Sequence, residues 1–511
     1  MTAPSAPEHE VLVVGAGPVG LALVLALCRA GVDAVAVDRD GGPTDHPKAR
    51  VVSTRSMELL RRLGVADAVR ARALPGDWTE RVVVADTLTG PALLTVESTG
   101  RETLHSPEHR VLCTQDRLEH VLAEAVATVR PDAVRWRTGA LAVTDRGPYA
   151  EVTVAPDDGP VTRHRARHVV LADGCRGLGA GPAVAGAGVR RRAMSQVGFR
   201  LEADLAPLVA EHPAFITYLM GGSHPAQLLV VDGKRDWIVS MVAGRSDGPA
   251  DHPPERVRRM LSTVVGVPPG DPLLTTARLR GIRFYDIAYR VAERFTVGRI
   301  VRAGDAAHEL PPTGAAGLNL GLADADALAW RLVAISRGWG GPALLEDYAV
   351  ERRAIGERTA RWARSRVNTV GLLASSRAHG DSEGMVRAER QLAVYLDHPG
   401  LDLGPLLPPG EPEDAAVLVD DWRAGSRAPR LLDHYGDAPV LVLGRDSGPP
   451  ERWTDGLAAP CPVPLRVLST SGDGPEGAAL VRPDGYVHWR GRSPEDLRAA
   501  LTSLGVGGTH A

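Results

Sequence analysis

Cysteine is scarce: the 511 residues hold four, Cys28, Cys113, Cys175 and Cys461, far apart and with no CxxC pair. That spacing excludes a disulfide-stapled scaffold and suits a reducing compartment. Long blocks of like charge are missing too. The formal charge of −3 is spread along the chain, so bulk attraction to nucleic acid or to an anionic membrane is excluded and a small-molecule partner is expected. Aromatic residues make up 4%, which points to a pocket lined mainly by aliphatic side chains. The opening MTAPSAPEHE lacks the basic start and apolar core of a secretory signal, so a cytoplasmic location is expected. No internal repeat or low-complexity tract is present, and no metal site is read.

What is present begins with one long apolar stretch, VLVVGAGPVGLALVLALCRAG, residues 11–31. It is long enough to cross a bilayer, but its glycines read better as the turn between a buried parallel strand and a helix packed on the sheet. The expected unit is a strand over 11–14, a helix over 19–30 and a second strand ending at Asp38. Helical spacing recurs in SMELLRRLG and DRLEHVLAEAVATV, and LAVTDRG, AEVTVAP and RHVVLADG read as strands. From 196 to 290 apolar and polar residues alternate, with one helix at PERVRRMLSTVV, which predicts an antiparallel sheet with one covered face. The chain is then helical to about 397, and the Pro- and Gly-rich 398–429 reads as a linker before a small α/β unit over 430–511.

Gly15, Gly17 and Gly20 form GxGxxG between that strand and helix. The first allows a tight turn, the second lets backbone approach a pyrophosphate, and the third lets helix and strand pack closely. Asp38 follows Gly20 by 18 residues, where a carboxylate can bond ribose hydroxyls. Three other matches read as ordinary structure. Gly472, Gly474 and Gly477 precede a strand and not a helix. Gly244, Ser246 and Gly248 fit a nucleophile elbow, but Pro249, Pro253 and Pro254 delay any helix. His164 and His168 lie in an arginine-interleaved segment heading into a strand, a solvated basic edge.

Residues 303–319, AGDAAHELPPTGAAGLN, join a short strand to a helix start. Asp305 at the strand end suits a sugar-type hydroxyl, and Gly317-Leu318-Asn319 open a helix whose free N–H groups favour negative charge.

GAGPVG with Asp38-Arg39, Asp173-Gly174-Cys175-Arg176, and Ala303-Gly304-Asp305-Ala306-Ala307-His308 with PPTG and GLN together resemble the single-component FAD aromatic hydroxylases of the para-hydroxybenzoate hydroxylase fold, in particular the aromatic polyketide hydroxylase branch. RSMELLRRLG, TQDRLEHVL and LEDYAVERR also match, so the resemblance covers most of residues 10–370. It implies an α/β architecture: a Rossmann-like FAD-binding domain over 1–185 and 291–397 with long helices, an inserted antiparallel-sheet substrate domain over 186–290, and a thioredoxin-like domain without CxxC over 430–511. Gly15, Gly17, Pro18, Val19, Gly20, Asp38 and Arg39 are implied to hold the ADP half of FAD. Gln115, Asp305, Pro312, Gly314, Gly317, Leu318 and Asn319 are implied to meet flavin or ribityl. Lys48 stands where the family usually has Arg near the pyrophosphate, and Asp173 lies in a loop associated with both FAD and NADPH. Gly177 replaces a usual Ser, and Ala315-Ala316 departs from Gly followed by a larger residue.

The implied activity is NAD(P)H- and O2-dependent hydroxylation of an aromatic polyketide-type molecule through a flavin C4a-hydroperoxide, by a monomer or homodimer. Baeyer–Villiger, epoxidation or rearrangement chemistry on the same flavin, antibiotic inactivation, and a non-catalytic FAD- or drug-binding protein are the alternatives. No WxWxIP-like element points to a halogenase. Tyr218, Tyr285 and Asp286 are candidate bases, none singled out.

Overall fold

Two strands with every residue buried or nearly so, His9–Val14 and Ala34–Val37, lie parallel at the centre of the first sheet. The structure, a computed structural model, describes residues 7–98, 106–244, 246–396, 422, 426, 428, 434, 436–455, 464–470 and 474–506. Thr162–Leu171 pairs parallel to the first strand on its other side, and Ile300–Arg302 pairs parallel to that in turn. One face of this sheet is covered by the helices Pro18–Arg29, Gln115–Val129 and Ala316–Ser336, through Leu21, Leu25, Leu122 and Leu328. The other is covered by the hairpin Thr138–Asp145 and Ala150–Pro156, whose Val143 and Val152 pack on Leu12, Val35 and Val169. Burial on both faces explains why residues 11–14 and 34–37 are apolar throughout instead of alternating.

The second sheet has eight strands: His308–Glu309, Arg278–Val291, Arg191–Glu202, Asp236–Val242, Ala226–Val230, Ile216–Leu219, Arg81–Ala85 and Ala92–Glu97, in that spatial order. Its alternation is that of a half-covered sheet. Val197, Phe199, Val239 and Met241 share a core with Val257, Met260 and Val264 of the helix Pro254–Val265. The segment 81–97, expected within 1–185, instead extends this sheet, with Arg81–Ala85 parallel to Ile216–Leu219. The far half of the long helix Ala343–His379 and the helix Ser382–Leu396 also turn to this core, through Val370, Leu373, Ala388 and Leu392.

A third sheet orders Arg466–Ser469, Val440–Leu443, Ala478–Val481 and Val487–Gly491. The expected linker 398–429 lies outside the described residues except Trp422, Ser426 and Ala428, and Trp422 and Ala428 are buried against this sheet. Cys461 also lies outside them. The unit is clamped to the helices Ala316–Ser336, Ala343–His379 and Thr54–Arg62 by polar contacts. Asp484 accepts the Trp330 indole N–H at 3.0 Å and pairs with Arg482, which reaches Glu351 at 2.5 Å. Arg55 donates to the Asp484 carbonyl at 2.7 Å.

Candidate functional site

The three glycines of the first loop have three different surroundings. Gly15 holds φ +101°, and a Cβ there would lie 2.4 Å from the Ala172 carbonyl oxygen; a Cβ on Gly20 would lie 2.0 Å from the Gly15 oxygen. A Cβ on Gly17 would meet nothing within 4 Å. Two glycines are thus needed for packing, and the third bares backbone to open space at the start of the helix Pro18–Arg29, where free N–H groups favour an anion. Asp38 braces the loop, accepting the Ala16 N–H at 2.6 Å and the Asp40 N–H at 2.9 Å, and a carboxylate retains lone pairs beyond those two. Arg39 and Lys48 are exposed beside this region.

The second and third motifs come to the same place. Gly15 abuts Asp173, and both Gly304 and Gly321 abut Val19. Burial pushes the Asp173 carboxyl up, against the N–H groups of Gly179 and Leu178. A Cβ at Gly177 would fall 2.1 Å from the Asp173 Cγ, so the glycine found where the family has Ser lets this acid fold back over its own loop. The Asp305 side chain is exposed, yet the protein packed around it desolvates its carboxyl and raises its pKa. A Cβ on Gly317 would lie 3.7 Å from its Oδ1. Gln115 bonds Ala49 through both backbone and side chain, and donates to Glu119 at 2.7 Å.

The loop before the helix Ala316–Ser336 is tightly constrained. Pro311 is buried and Pro312 exposed, and Gly314 has φ +96° with its Cα facing the Trp362 ring, which a Cβ would meet at 2.2 Å. Ala315, the helix N-cap, is left-handed at φ +50°. That region costs an L-residue about 1 kcal/mol or more. Ala315→Gly is therefore expected to stabilise the protein by about 0.5–1 kcal/mol after the extra entropy of an unfolded glycine, measured by denaturant unfolding of wild type and variant. Asn319 has its side chain committed: Oδ1 accepts from Ser53 N–H at 2.9 Å and Ser56 Oγ at 2.7 Å, while Nδ2 donates to Val51 and Ala315 carbonyls at 3.0 and 2.7 Å. It clamps the helix start, so any contact it makes across the crevice falls to its backbone. Gly317 and Leu318 are half-buried beside it.

Beneath Gly304-Asp305 lies a group that the sequence reading did not single out. Asp324 is wholly buried, and its Oδ2 accepts the Gly304 N–H at 2.9 Å and lies 2.5 Å from His308 Nε2, while Oδ1 takes Arg352 Nε at 2.6 Å. Burial pushes this carboxyl up, but His308 and Arg352 together hold it below its ordinary value. Arg290 and Arg302 wire the same loops by donating to carbonyls, Arg290 to Ala187 and Asp305, and Arg302 to Gly179, Arg294, Val184 and Ala185. The one available signal was an Asp placed on the apolar stripe of a predicted helix.

The second sheet supplies the opposite wall. Its strand Arg278–Val291 ends by pairing Val291 with His308. Of the candidate bases, Tyr218 is buried in the second core, and Asp286 is held by Ser195 at 2.7 Å on the strand face opposite Tyr285. Burial raises the Tyr285 phenol, so it stands as a neutral group. In the nucleophile-elbow match, Asp247 accepts the Gly244 N–H and Asp251 that of Gly248. At the far end of the first sheet Glu8, His9 and His164 bring ligating atoms within 4.8 Å of one another, but His9 is bonded to Asp33 and His164 to Glu8.

A parallel sheet with a glycine-bare helix start, an acid after its second strand, and two further acidic loops closing on the same crevice define a dinucleotide-binding flavoprotein. The bare backbone at Gly17 and the Asp305–Gly317 approach fit FAD. The chain belongs to the FAD binding domain family, whose model matches residues 8–363. It is similar to a putative polyketide hydroxylase of Streptomyces halstedii, 32% identical across 97% of this chain and 96% of that protein. Among solved structures it resembles the flavin-dependent monooxygenase PieE in complex with FAD and substrate, with TM-score 0.84 and 25% identity over 98% of this chain and 99% of that one. It likewise resembles aklavinone-11 hydroxylase in a ternary complex with FAD and aklavinone, with TM-score 0.83 and 25% identity over the same shares. It is a flavoprotein monooxygenase with FAD as cofactor and, as is general for the family, NAD(P)H as reductant. No described helix is long and apolar enough to cross a membrane.

Proposed function

We propose that this enzyme hydroxylates an aromatic, polyketide-type small molecule in antibiotic or other secondary-metabolite biosynthesis, using O2 and a transiently bound NADPH or NADH. The observation that carries the reading is the convergence of Gly15–Gly20, Asp173 and Asp305 on one crevice walled by the second sheet. Its relatives, named for polyketide hydroxylation and for aklavinone, supply the substrate class.

Bound FAD supplies the redox and oxygen chemistry that closed-shell organic side chains lack. The chain's own work is to hold and shield. Gly17 and Val19, with Gly15 and Gly20 shaping the turn and Pro18 opening the helix, present backbone N–H groups to the pyrophosphate, with Asp38 and Arg39 at the adenosine end and Lys48 nearby. Lys48 offers a point charge where Arg would offer a bidentate fork. Asp305 and Gln115 serve the ribityl side, and Pro312, Gly314, Gly317, Leu318 and the Asn319 backbone face the ring. The free N–H groups at the start of Ala316–Ser336 stabilise negative charge developing there. Asp173 closes the crevice from the dinucleotide side. The second sheet excludes water from the reacting face. The C-terminal unit, read as thioredoxin-like, acts as a structural brace through Asp484 and Arg482, and the protein works in the cytoplasm as a monomer or homodimer.

Purified protein should show a flavin absorbance that bleaches under anaerobic NADPH, faster when a polycyclic phenol is present. A protein that takes up FAD but consumes no NADPH with any aromatic ligand would be a binding protein instead, and product mass would separate hydroxylation from ring insertion.

A further inference from the structure

One aromatic ring on the crevice-side face of the second sheet is held in place by three neighbours on two other strands. Tyr285 pairs with Gln196 across the strands, and Gly198 pairs with Ser240, so all four share one face. Phe199, Val239 and Met241 take the other face, against the helix Pro254–Val265. The Tyr285 face also carries Arg200 and Arg283, both near His46, which places it toward the first sheet's loops and not toward solvent behind the molecule. The phenol oxygen lies 2.9 Å from Ser240 Oγ and donates to Gln196 Oε1 at 3.1 Å. Gln196 is 4% and Ser240 5% exposed, whereas Tyr285 keeps 36% of its surface open.

Gly198 explains the ring's pose. A Cβ at that position would come within 2.8 Å of Tyr285 Cε1 and 3.1 Å of its hydroxyl. The ring therefore lies over the bare backbone of the strand Arg191–Glu202, its hydroxyl reaching Ser240 one strand further on. A tyrosine that only filled a core would bury its face and not its edge. Here the hydroxyl edge is tied down by two buried polar groups while more than a third of the residue stays open.

We infer that Tyr285 is a stacking platform for a planar, multi-ring aromatic substrate, held flat by Gln196 and Ser240 over the seat left by Gly198. The inference rests on the aromatic-substrate reading above and names its recognition element. A ring locked before binding loses little conformational freedom when a ligand stacks on it, and offset stacking adds affinity beyond area burial. The hydroxyl is spent on Gln196 and Ser240, so it is the ring and not the phenol proton that serves the ligand.

The test uses the FAD-loaded enzyme, with aklavinone as the polycyclic probe and catechol as the single-ring one, and reads Kd from perturbation of the flavin spectrum. Tyr285→Ala is expected to weaken aklavinone binding about tenfold or more and catechol much less, while FAD affinity stays at the wild-type value. Tyr285→Phe should retain affinity within about threefold, since the platform remains. Gly198→Ala, which displaces the ring without removing it, should reproduce the alanine variant. Wild-type aklavinone affinity in Tyr285→Ala, or an equal loss for both probes, would overturn the platform and leave the monooxygenase reading standing. A wild-type holoenzyme that binds neither probe overturns the substrate class and the platform together.

Discussion

Replacing Asp324 with alanine is expected to cost about 3–5 kcal/mol of stability and most of the bound FAD. The carboxylate has three buried dependants. Arg352 and His308 are 3% and 0% exposed, and the Gly304 N–H has Oδ2 at 2.9 Å. Removing the acid leaves a guanidinium, an imidazole and an amide without their partner in a site that water does not reach, the most expensive kind of deletion. The loop then released is the one that carries Asp305. Asp324→Asn should lose less, because an amide oxygen can still accept from Arg352 or Gly304 but not from both. Denaturant unfolding of the apoprotein and equilibrium dialysis with FAD measure the two effects separately. A variant as stable as wild type that still releases FAD would place the role of Asp324 in the crevice alone. The pH dependence has a definite sign: a carboxyl held below its unfolded value contributes stability that is fully present above the unfolded pKa near 3.9 and is lost as pH falls through the folded one. Wild type and Asp324→Ala should therefore converge in strong acid and separate above about pH 4.

The parts of this molecule that the sequence made legible are those with a local cause. GxGxxG could be read because a strand precedes it and a helix follows, and the structure has Ala172 and Val13 where Gly15 and Gly20 need no side chain. Alternation from 196 to 290 was enough to foresee the second sheet, because one face is buried and the other is not. What escaped depends on partners far along the chain. RVVVA at 81–85 reads as a strand anywhere, yet nothing in it specifies Ile216–Leu219 as its parallel neighbour. Asp324 looks like a solubilising charge until Gly304, His308 and Arg352 are brought around it. Asn319 sits in the expected motif, but its side chain serves Ser53 and Val51, more than 260 residues away, instead of the crevice. Tyr285, one of three candidate bases by composition, is distinguished only by Gly198 beside it. Buried charges and bare backbone seats are set by tertiary packing, which periodicity does not encode.

Gly17→Ala and Gly20→Ala should fail in opposite ways. At Gly20 an added Cβ would sit 2.0 Å from the Gly15 carbonyl oxygen and 3.3 Å from a Val13 methyl. Backbone must move to accept it, parting the first helix from the first strand, and a stability loss of about 3 kcal/mol is expected, with FAD lost as a consequence. At Gly17 no protein atom lies within 4 Å of the new methyl group. The residue is the N-cap of Pro18–Arg29 with φ −71° and extended ψ, a conformation alanine adopts without strain. The apoprotein should unfold at nearly the wild-type denaturant midpoint. FAD affinity should nevertheless fall about a hundredfold or more, some 2.7 kcal/mol, because the methyl group occupies the space through which the pyrophosphate reaches the helix N–H groups. The contrast makes the pair informative. If Gly17→Ala binds FAD as wild type does, the open space before the helix does not receive the pyrophosphate. If it instead unfolds as readily as Gly20→Ala, the glycine serves the fold and not the cofactor. Only a stable apoprotein with weakened FAD binding assigns the bare backbone at Gly17 to the dinucleotide.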